Sequence, residues 1–124
     1  MAEDFRTLLM ETERFEDGDR WFGDIQIGGW FYFSAQAGPF HDCQPKTLLP
    51  SPMSYESFDV RLQTVNGVIS YGLYGAWEEL KNKPWAALFA KEAPTVMHGP
   101  EVPVATCQQI YEDLLEYART HPLP

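Results

Sequence analysis

Between Ser57 and Val65 the chain alternates strictly, with Phe58, Val60 and Leu62 pointing one way and Asp59, Arg61 and Gln63 the other. A period of two residues cannot form one face of a helix. It specifies a strand with one side buried and one side wet, the pattern of an antiparallel sheet. Asn66-Gly67 follows directly and Val68 to Tyr71 resumes apolar. Asn-Gly between two such runs predicts a tight hairpin, because both residues tolerate positive φ. Upstream, Asp24 to Ile27 and the aromatic run Trp30 to Gln36 flank Gly28-Gly29 and predict a second hairpin.

Helical spacing occurs elsewhere. Residues 4–15 put Phe5, Leu8, Leu9, Thr12 and Phe15 on one stripe, which predicts a short amphipathic helix ended by Glu16-Asp17-Gly18-Asp19. Residues 75–91 predict two short helical pieces, with Pro84 in the first turn of the second and Trp77, Leu80, Trp85, Leu88 and Phe89 facing inward. Thr106-Cys107-Gln108-Gln109 reads as a capping box opening the last helix. Its stripe is Cys107, Ile110, Leu114 and Tyr117/Ala118, and Glu112, Asp113 and Glu116 lie outside it. Residues 37–54, with Pro39, Pro45, Pro50 and Pro52, predict a long loop, and Ala93 to Pro103 a second one. The expectation is one α+β domain over residues 1–124, a small antiparallel sheet packed with N-terminal, central and C-terminal helices.

Charge is the second constraint. Eighteen acidic residues oppose nine basic ones, and the surplus sits at the ends: residues 1–24 carry eight acids and three bases, residues 101–124 four and one. An acidic surface is repelled by nucleic acid and anionic membrane and is drawn to basic protein surfaces. Lys81, Lys83 and Lys91 form the one local basic cluster. No apolar run is long enough to cross a membrane, and Met-Ala-Glu-Asp at the start lacks the basic and apolar regions of a secretory signal. Cys43 and Cys107 are 64 residues apart, without CxxC spacing, and are read as free buried thiols. The expected location is the cytoplasm.

The chemistry-bearing patterns are few. Neither GxxxxGK[ST] nor GxGxxG occurs, and no GxSxG elbow is present. His41 and Cys43 could share a side of a loop, but a thiol nucleophile also needs an orienting group and an oxyanion site. His41, Cys43, His98 and Cys107 are residue types that bind zinc, yet H-x-C followed by H-x8-C matches no zinc framework. Glu16, Asp17, Asp19 and Asp24 lack the order of a calcium loop. Trp30, Trp77 and Trp85 could stack on sugars, with core packing the better account of them. No catalytic residue, metal or cofactor is therefore expected.

Binding is the sharper expectation. Along the strand, Trp30 and Tyr32 share one face and Phe31 and Phe33 the other, so a sheet covered on one side leaves an aromatic row open for recognition. Trp30 and Tyr32, with the carboxylates Asp17, Asp19 and Asp24 at one end and Glu112, Asp113 and Glu116 at the other, are the expected partner-binding residues.

The stretch Ser34-Ala35-Gln36-Ala37-Gly38-Pro39-Phe40-His41-Asp42-Cys43-Gln44-Pro45, followed by Tyr55-Glu56-Ser57-Phe58-Asp59-Val60, resembles a pattern in short uncharacterised phage and prophage proteins. Gly99-Pro100-Glu101-Val102-Pro103-Val104, leading into Gln109-Ile110, is similar to their closing turn and helix. The resemblance covers about half of the chain. This sequence has Pro45-Lys46 where those proteins often carry Pro-Arg, and it adds the acidic N-terminal segment and Trp77 to Phe89. The resemblance implies a mobile-element origin and supplies no activity. Small acidic proteins of such origin resemble, as a class, inhibitors of host defence such as anti-CRISPR proteins. The expected function is a non-enzymatic inhibitor docking on a basic, nucleic-acid-binding surface of a host defence protein, such as a CRISPR complex subunit, without touching nucleic acid or membrane. The alternatives are an immunity protein against a basic toxin, or a small enzyme using His, Cys or acidic residues. A homodimer is left open.

Overall fold

The structure, a computed structural model, describes residues 2–65, 76–93 and 95–122. The strands are β1 (Glu11–Arg14), β2 (Arg20–Phe22), β3 (Ile25–Ile27), β4 (Phe31–Gln36), β5 (Ser57–Thr64), β6 (Ala90–Ala93) and β7 (Val96–Pro103). The α-helices are α1 (Trp77–Leu80) and α2 (Val104–Thr120), and short 3₁₀ turns run over Phe5–Leu8, Pro52–Ser54 and Pro84–Leu88. β1 and β2 make a separate two-stranded ribbon, and the other five strands form an antiparallel sheet in the order β3-β4-β5-β7-β6. The fold is α+β.

β5 is the axis of the sheet, as its alternation predicts. Phe33 pairs with Leu62 and Ala35 with Val60 on one side, and Phe58 pairs with Val102 on the other. These side chains face α2, whose Cys107, Ile110 and Leu114 are sealed against them. Phe5 completes the core from the N-terminal turn, with its ring 5.9 Å from Phe33 and 5.5 Å from Phe58. The helical stripe of α2 is therefore the covering layer of the sheet. The helix begins two residues before Thr106, at Val104, with Pro103 as its N-cap and no side-chain cap. The capping-box expectation is corrected accordingly.

Two other expectations are corrected. Residues 4–15 are not one helix: after the Phe5–Leu8 turn, capped by the Asp4 carboxylate on Arg6 N (2.9 Å), the chain extends as β1. Asp17-Gly18 makes the difference. Gly18 sits at φ 93°, and the Phe15 N–H reaches the Asp19 carbonyl at 2.9 Å, so the chain doubles back into β2. Most of the expected Ala93 to Pro103 loop is strand, with Ala93 closing β6 and Val96–Pro103 forming β7. β6 pairs only with Val96 to His98 of β7, so Pro100 and Pro103 need no donor on that edge. On the other edge Val60 faces Gly99 and Phe58 faces Val102, so Pro100 and Glu101 together stand opposite Asp59. This is a β-bulge, and it takes up the proline and the positive φ of Glu101, 48°.

The central helical pieces exist as single turns at Trp77–Leu80 and Pro84–Leu88. Trp77, Trp85 and Phe89 pack as an aromatic triad with centroids 5.6 to 6.1 Å apart, whereas Leu88 is exposed rather than inward. The expected Asn66-Gly67 turn and Val68 to Tyr71 run lie outside the described residues. No helix among the described residues is long and apolar enough to cross a membrane.

The core assignment is open to a direct check by urea denaturation. Leu114→Ala should cost about 3 kcal/mol through lost burial and a residual cavity, and Glu112→Ala, on the exposed side of the same helix, less than about 0.5 kcal/mol.

Candidate functional site

The outer face of the sheet is where this fold departs from a plain α-on-β layer. The β5 pleat turns Asp59 away from α2, toward the wet face, yet Asp59 is only 4% exposed. The 37–45 loop covers it. At the bulge, Glu101 N–H has lost its ladder partner and donates instead to the Asp42 carbonyl at 2.8 Å. Asp42 N–H in turn donates to Asp59 Oδ2 at 3.3 Å. Gln44 adds a bridge to Ser57 and donates from its amide to Glu101 Oε1 at 2.6 Å. One proline-rich loop is thus stitched over one carboxylate.

Two histidines flank it. His98 Nε2 lies 2.6 Å from Asp59 Oδ1, and His41 Nδ1 lies 3.8 Å from Oδ2. The far side of His41 meets the Arg20 carbonyl and Asp19 Oδ1, both 3.2 Å from Nε2. Gly38 makes room for this: a Cβ there would fall 2.7 Å from Asp19 Oδ1. The far side of His98 meets Glu92 Oε2 at 3.5 Å, and Arg61 holds Glu92 through two bonds of 3.1 and 3.2 Å. A seam of alternating charge therefore runs from β2 through the loop and β5 to β7 and β6. Arg20, beside it, is buried with its guanidinium over the rings of Phe22 (4.7 Å) and Tyr55 (5.7 Å) and donates to Tyr55 Oη at 2.9 Å. Tyr55 Oη also donates to the Thr47 carbonyl at 2.6 Å and accepts from Leu49 N–H at 2.8 Å, which pins the rest of the loop.

Protonation follows from this packing. Burial pushes the Asp59 carboxyl up, but His41, His98, the Asp42 N–H and Arg61 outweigh it and hold the group down at about 2. Burial pulls the His41 imidazole down. Asp59, the Arg20 carbonyl and Asp19 more than offset this, so His41 keeps its proton above the ordinary 6.5. The Arg61 guanidinium beside Glu92 lowers that carboxylate as well.

The binding residues expected from sequence separate into two groups. Asp17, Asp24, Glu112 and Glu116 are exposed, although Glu116 is paired with Arg119 and Glu112 accepts from the Gln108 amide at 2.9 Å. The others are engaged. Asp19 is buried against His41, and Asp113 accepts the Trp85 indole N–H at 2.8 Å. Trp30 is half-buried, edge-on to Tyr117 at 5.2 Å, and donates its indole N–H to the His121 carbonyl at 2.6 Å. It belongs to the turn before β4, so the pleat does not place it in one row with Tyr32. Tyr32 is half-buried in a small groove with Trp21, Asp24, Ser34, Arg61 and Gln63. No open Trp30–Tyr32 row exists.

The exposed aromatics are elsewhere. The β1–β2 hairpin exposes Phe15 (40%) and Trp21 (37%), Met10 stands at its base, and Phe40 is open on the loop beside His41. Glu11, Glu13, Glu16 and Asp17 are all exposed on the same hairpin. Phe15, Trp21, Glu13 and Asp24 line a common shallow groove. Gln36 clips the ribbon to the sheet, accepting Phe22 N–H at 2.7 Å and donating to the Phe22 carbonyl at 2.8 Å. The Trp21 ring stands edge-on over His41 at 4.8 Å, so the acidic ribbon and the buried seam touch.

Both thiols are buried, as read from sequence. Cys43 lies among the Gly38 N–H and the Gly38 and Pro45 carbonyls, and burial pushes its thiol up, the wrong direction for a nucleophile. Cys107 donates to the Val102 carbonyl and is pushed up further. Asp59, the centre of the seam, was assigned from sequence only to a wet strand face. Nothing in the alternation marks it as covered. No known family model, curated protein or solved structure matches this chain.

The linkage has a definite sign. His41, with a raised value, contributes stability that is complete below its ordinary 6.5 and is lost as pH rises through the raised value. Asp59, with a lowered value, contributes stability present above 3.8 and lost as pH falls toward about 2, on the order of 2 kcal/mol. Chemical denaturation against pH should therefore show a maximum between these limits. Asp59→Asn should lower stability by about 3 kcal/mol at its centre and flatten the acidic limb.

Proposed function

We propose that this chain is a non-enzymatic, acidic binding protein that docks through its β1–β2 hairpin on a basic, nucleic-acid-binding surface of a larger protein. The observation that carries the reading is the coincidence, on one ribbon, of exposed Glu11, Glu13, Glu16 and Asp17 with exposed Phe15 and Trp21. Carboxylates steer a basic partner into register, and large aromatic side chains supply the desolvated anchor. The ribbon is attached at its base by Gln36 and by the His41 contact under Trp21, so it meets a partner already shaped. On this reading the acidic N-terminal segment is the recognition element, with α2 in a supporting role.

The resemblance to phage and prophage proteins supports a partner from host defence, such as a CRISPR effector subunit in the cytoplasm, with inhibition arising by occupation of its nucleic-acid channel. Affinity capture from a host lysate tests this with internal controls. The wild-type chain is expected to retain a basic nucleic-acid-binding subunit, with capture falling by at least tenfold between about 50 and about 500 mM salt. Replacing Glu11, Glu13, Glu16 and Asp17 with Lys, or Trp21 with Ala, should abolish capture, while Glu112→Lys with Glu116→Lys should leave it. Capture that ignores both salt and the hairpin, or retention of no basic protein, would overturn the proposal.

A further inference from the structure

We infer that Asp42, Asp59 and His98 form a binding site for one divalent transition-metal ion of the zinc class. One ligand atom from each lies within 4.8 Å of the other two, and three separate elements deliver them: the 37–45 loop, β5 and β7. Their burial is graded, from sealed Asp59 through half-buried His98 to exposed Asp42, so the site is closed on the protein side and open to water on the other. One imidazole with two carboxylates suits zinc or a similar borderline ion, with water completing four-coordination. This ligand set shares only His98 with the His/Cys set weighed from sequence.

The surrounding contacts are those a metal-binding histidine requires. His98 Nδ1 faces Glu92 Oε2 at 3.5 Å, and Arg61 fixes that carboxylate with its two bonds. A carboxylate behind the ring fixes its orientation and directs the other nitrogen, Nε2, toward the ion. The Asp42 N–H and His41 hold Asp59 Oδ2, which turns Oδ1 to the same point. The bulge opposite Asp59 is what brings Asp42 there, through Glu101 N–H on its carbonyl.

A 2.6 Å hydrogen bond, made through one proton, joins His98 Nε2 and Asp59 Oδ1. A bound ion takes the place of that proton, which leaves to solvent as two bonds of about 2 Å to the metal replace one hydrogen bond. The neighbouring cations yield readily. Lys46 meets Asp42 at 3.7 Å in a half-exposed surface pair, and Arg61, 3.5 Å from Asp59 Oδ1, is held chiefly by Glu92.

Calorimetric titration of the untagged chain with zinc chloride, repeated in buffers of different ionisation enthalpy, tests the assignment. The expected result is saturation near about one ion per chain with proton release, and a four-coordinate visible spectrum when cobalt(II) replaces zinc. Asp42→Ala, at a half-exposed side chain that the fold does not need, and His98→Ala should each weaken binding by at least about tenfold. Glu92→Gln, which touches no ion, should weaken it by about 10- to 100-fold. No saturable binding, undiminished affinity in the Asp42 and His98 variants relative to the unaltered chain, or preference for calcium over zinc would overturn the inference. None of these outcomes bears on the hairpin's partner.

Discussion

The Asp59 carboxylate is the point on which the outer half of this molecule depends. A buried charge is tolerated only when it is fully hydrogen-bonded and paired, because the desolvation cost is several kcal/mol. Here the compensation comes from four directions: His98 on β7, His41 and the Asp42 N–H on the covering loop, and Arg61 on β5 itself. Each partner belongs to a segment that would otherwise have little reason to stay. Without Asp59, the 37–45 loop would lose its main polar anchor. Trp21 would then lose the imidazole it rests on.

The bulge and the carboxylate explain each other. A regular ladder would give Asp59 a single partner on β7 and leave Glu101 paired inward. The extra residue frees the Glu101 N–H to hold the Asp42 carbonyl, and the loop is thereby drawn across the sheet. The apolar side of the sheet does different work. Phe33, Phe58, Leu62, Ile110 and Leu114 supply the burial that makes the fold stable, while the polar side supplies the positions of the loop and ribbon. The acidic surplus is similarly divided: Asp19 and Asp59 are consumed inside, and Glu11, Glu13, Glu16 and Asp17 face solvent.

How much of this was legible in the sequence depended on the range of the interaction. β5, the β3–β4 hairpin and the stripe of α2 follow from short-range periodicity, and each stands where it was expected. The ribbon was misread because Phe5, Leu8, Leu9, Thr12 and Phe15 fit a helical stripe, while the competing hairpin instruction was two residues long, Asp17-Gly18. β7 was misread because its prolines count against a strand unless the edge is free and a bulge absorbs them, which are tertiary facts. Trp30 was placed in the wrong row because the pleat was extended one residue too far into a turn. The seam was the least legible part. Its members are spread over Asp19, His41, Asp59, Glu92 and His98, and only the cover supplied by the proline-rich loop turns a wet-face aspartate into a buried one.

The most direct test of the keystone is an NMR titration that follows the Asp59 carboxyl carbon and the His41 ring nitrogens in the native chain. The account predicts that Asp59 titrates at about 2 and that His41 loses its proton only above the ordinary 6.5. An Asp59 that titrates at 3.8, together with a His41 at or below 6.5, would show the carboxylate to be an ordinary surface group and would contradict the account.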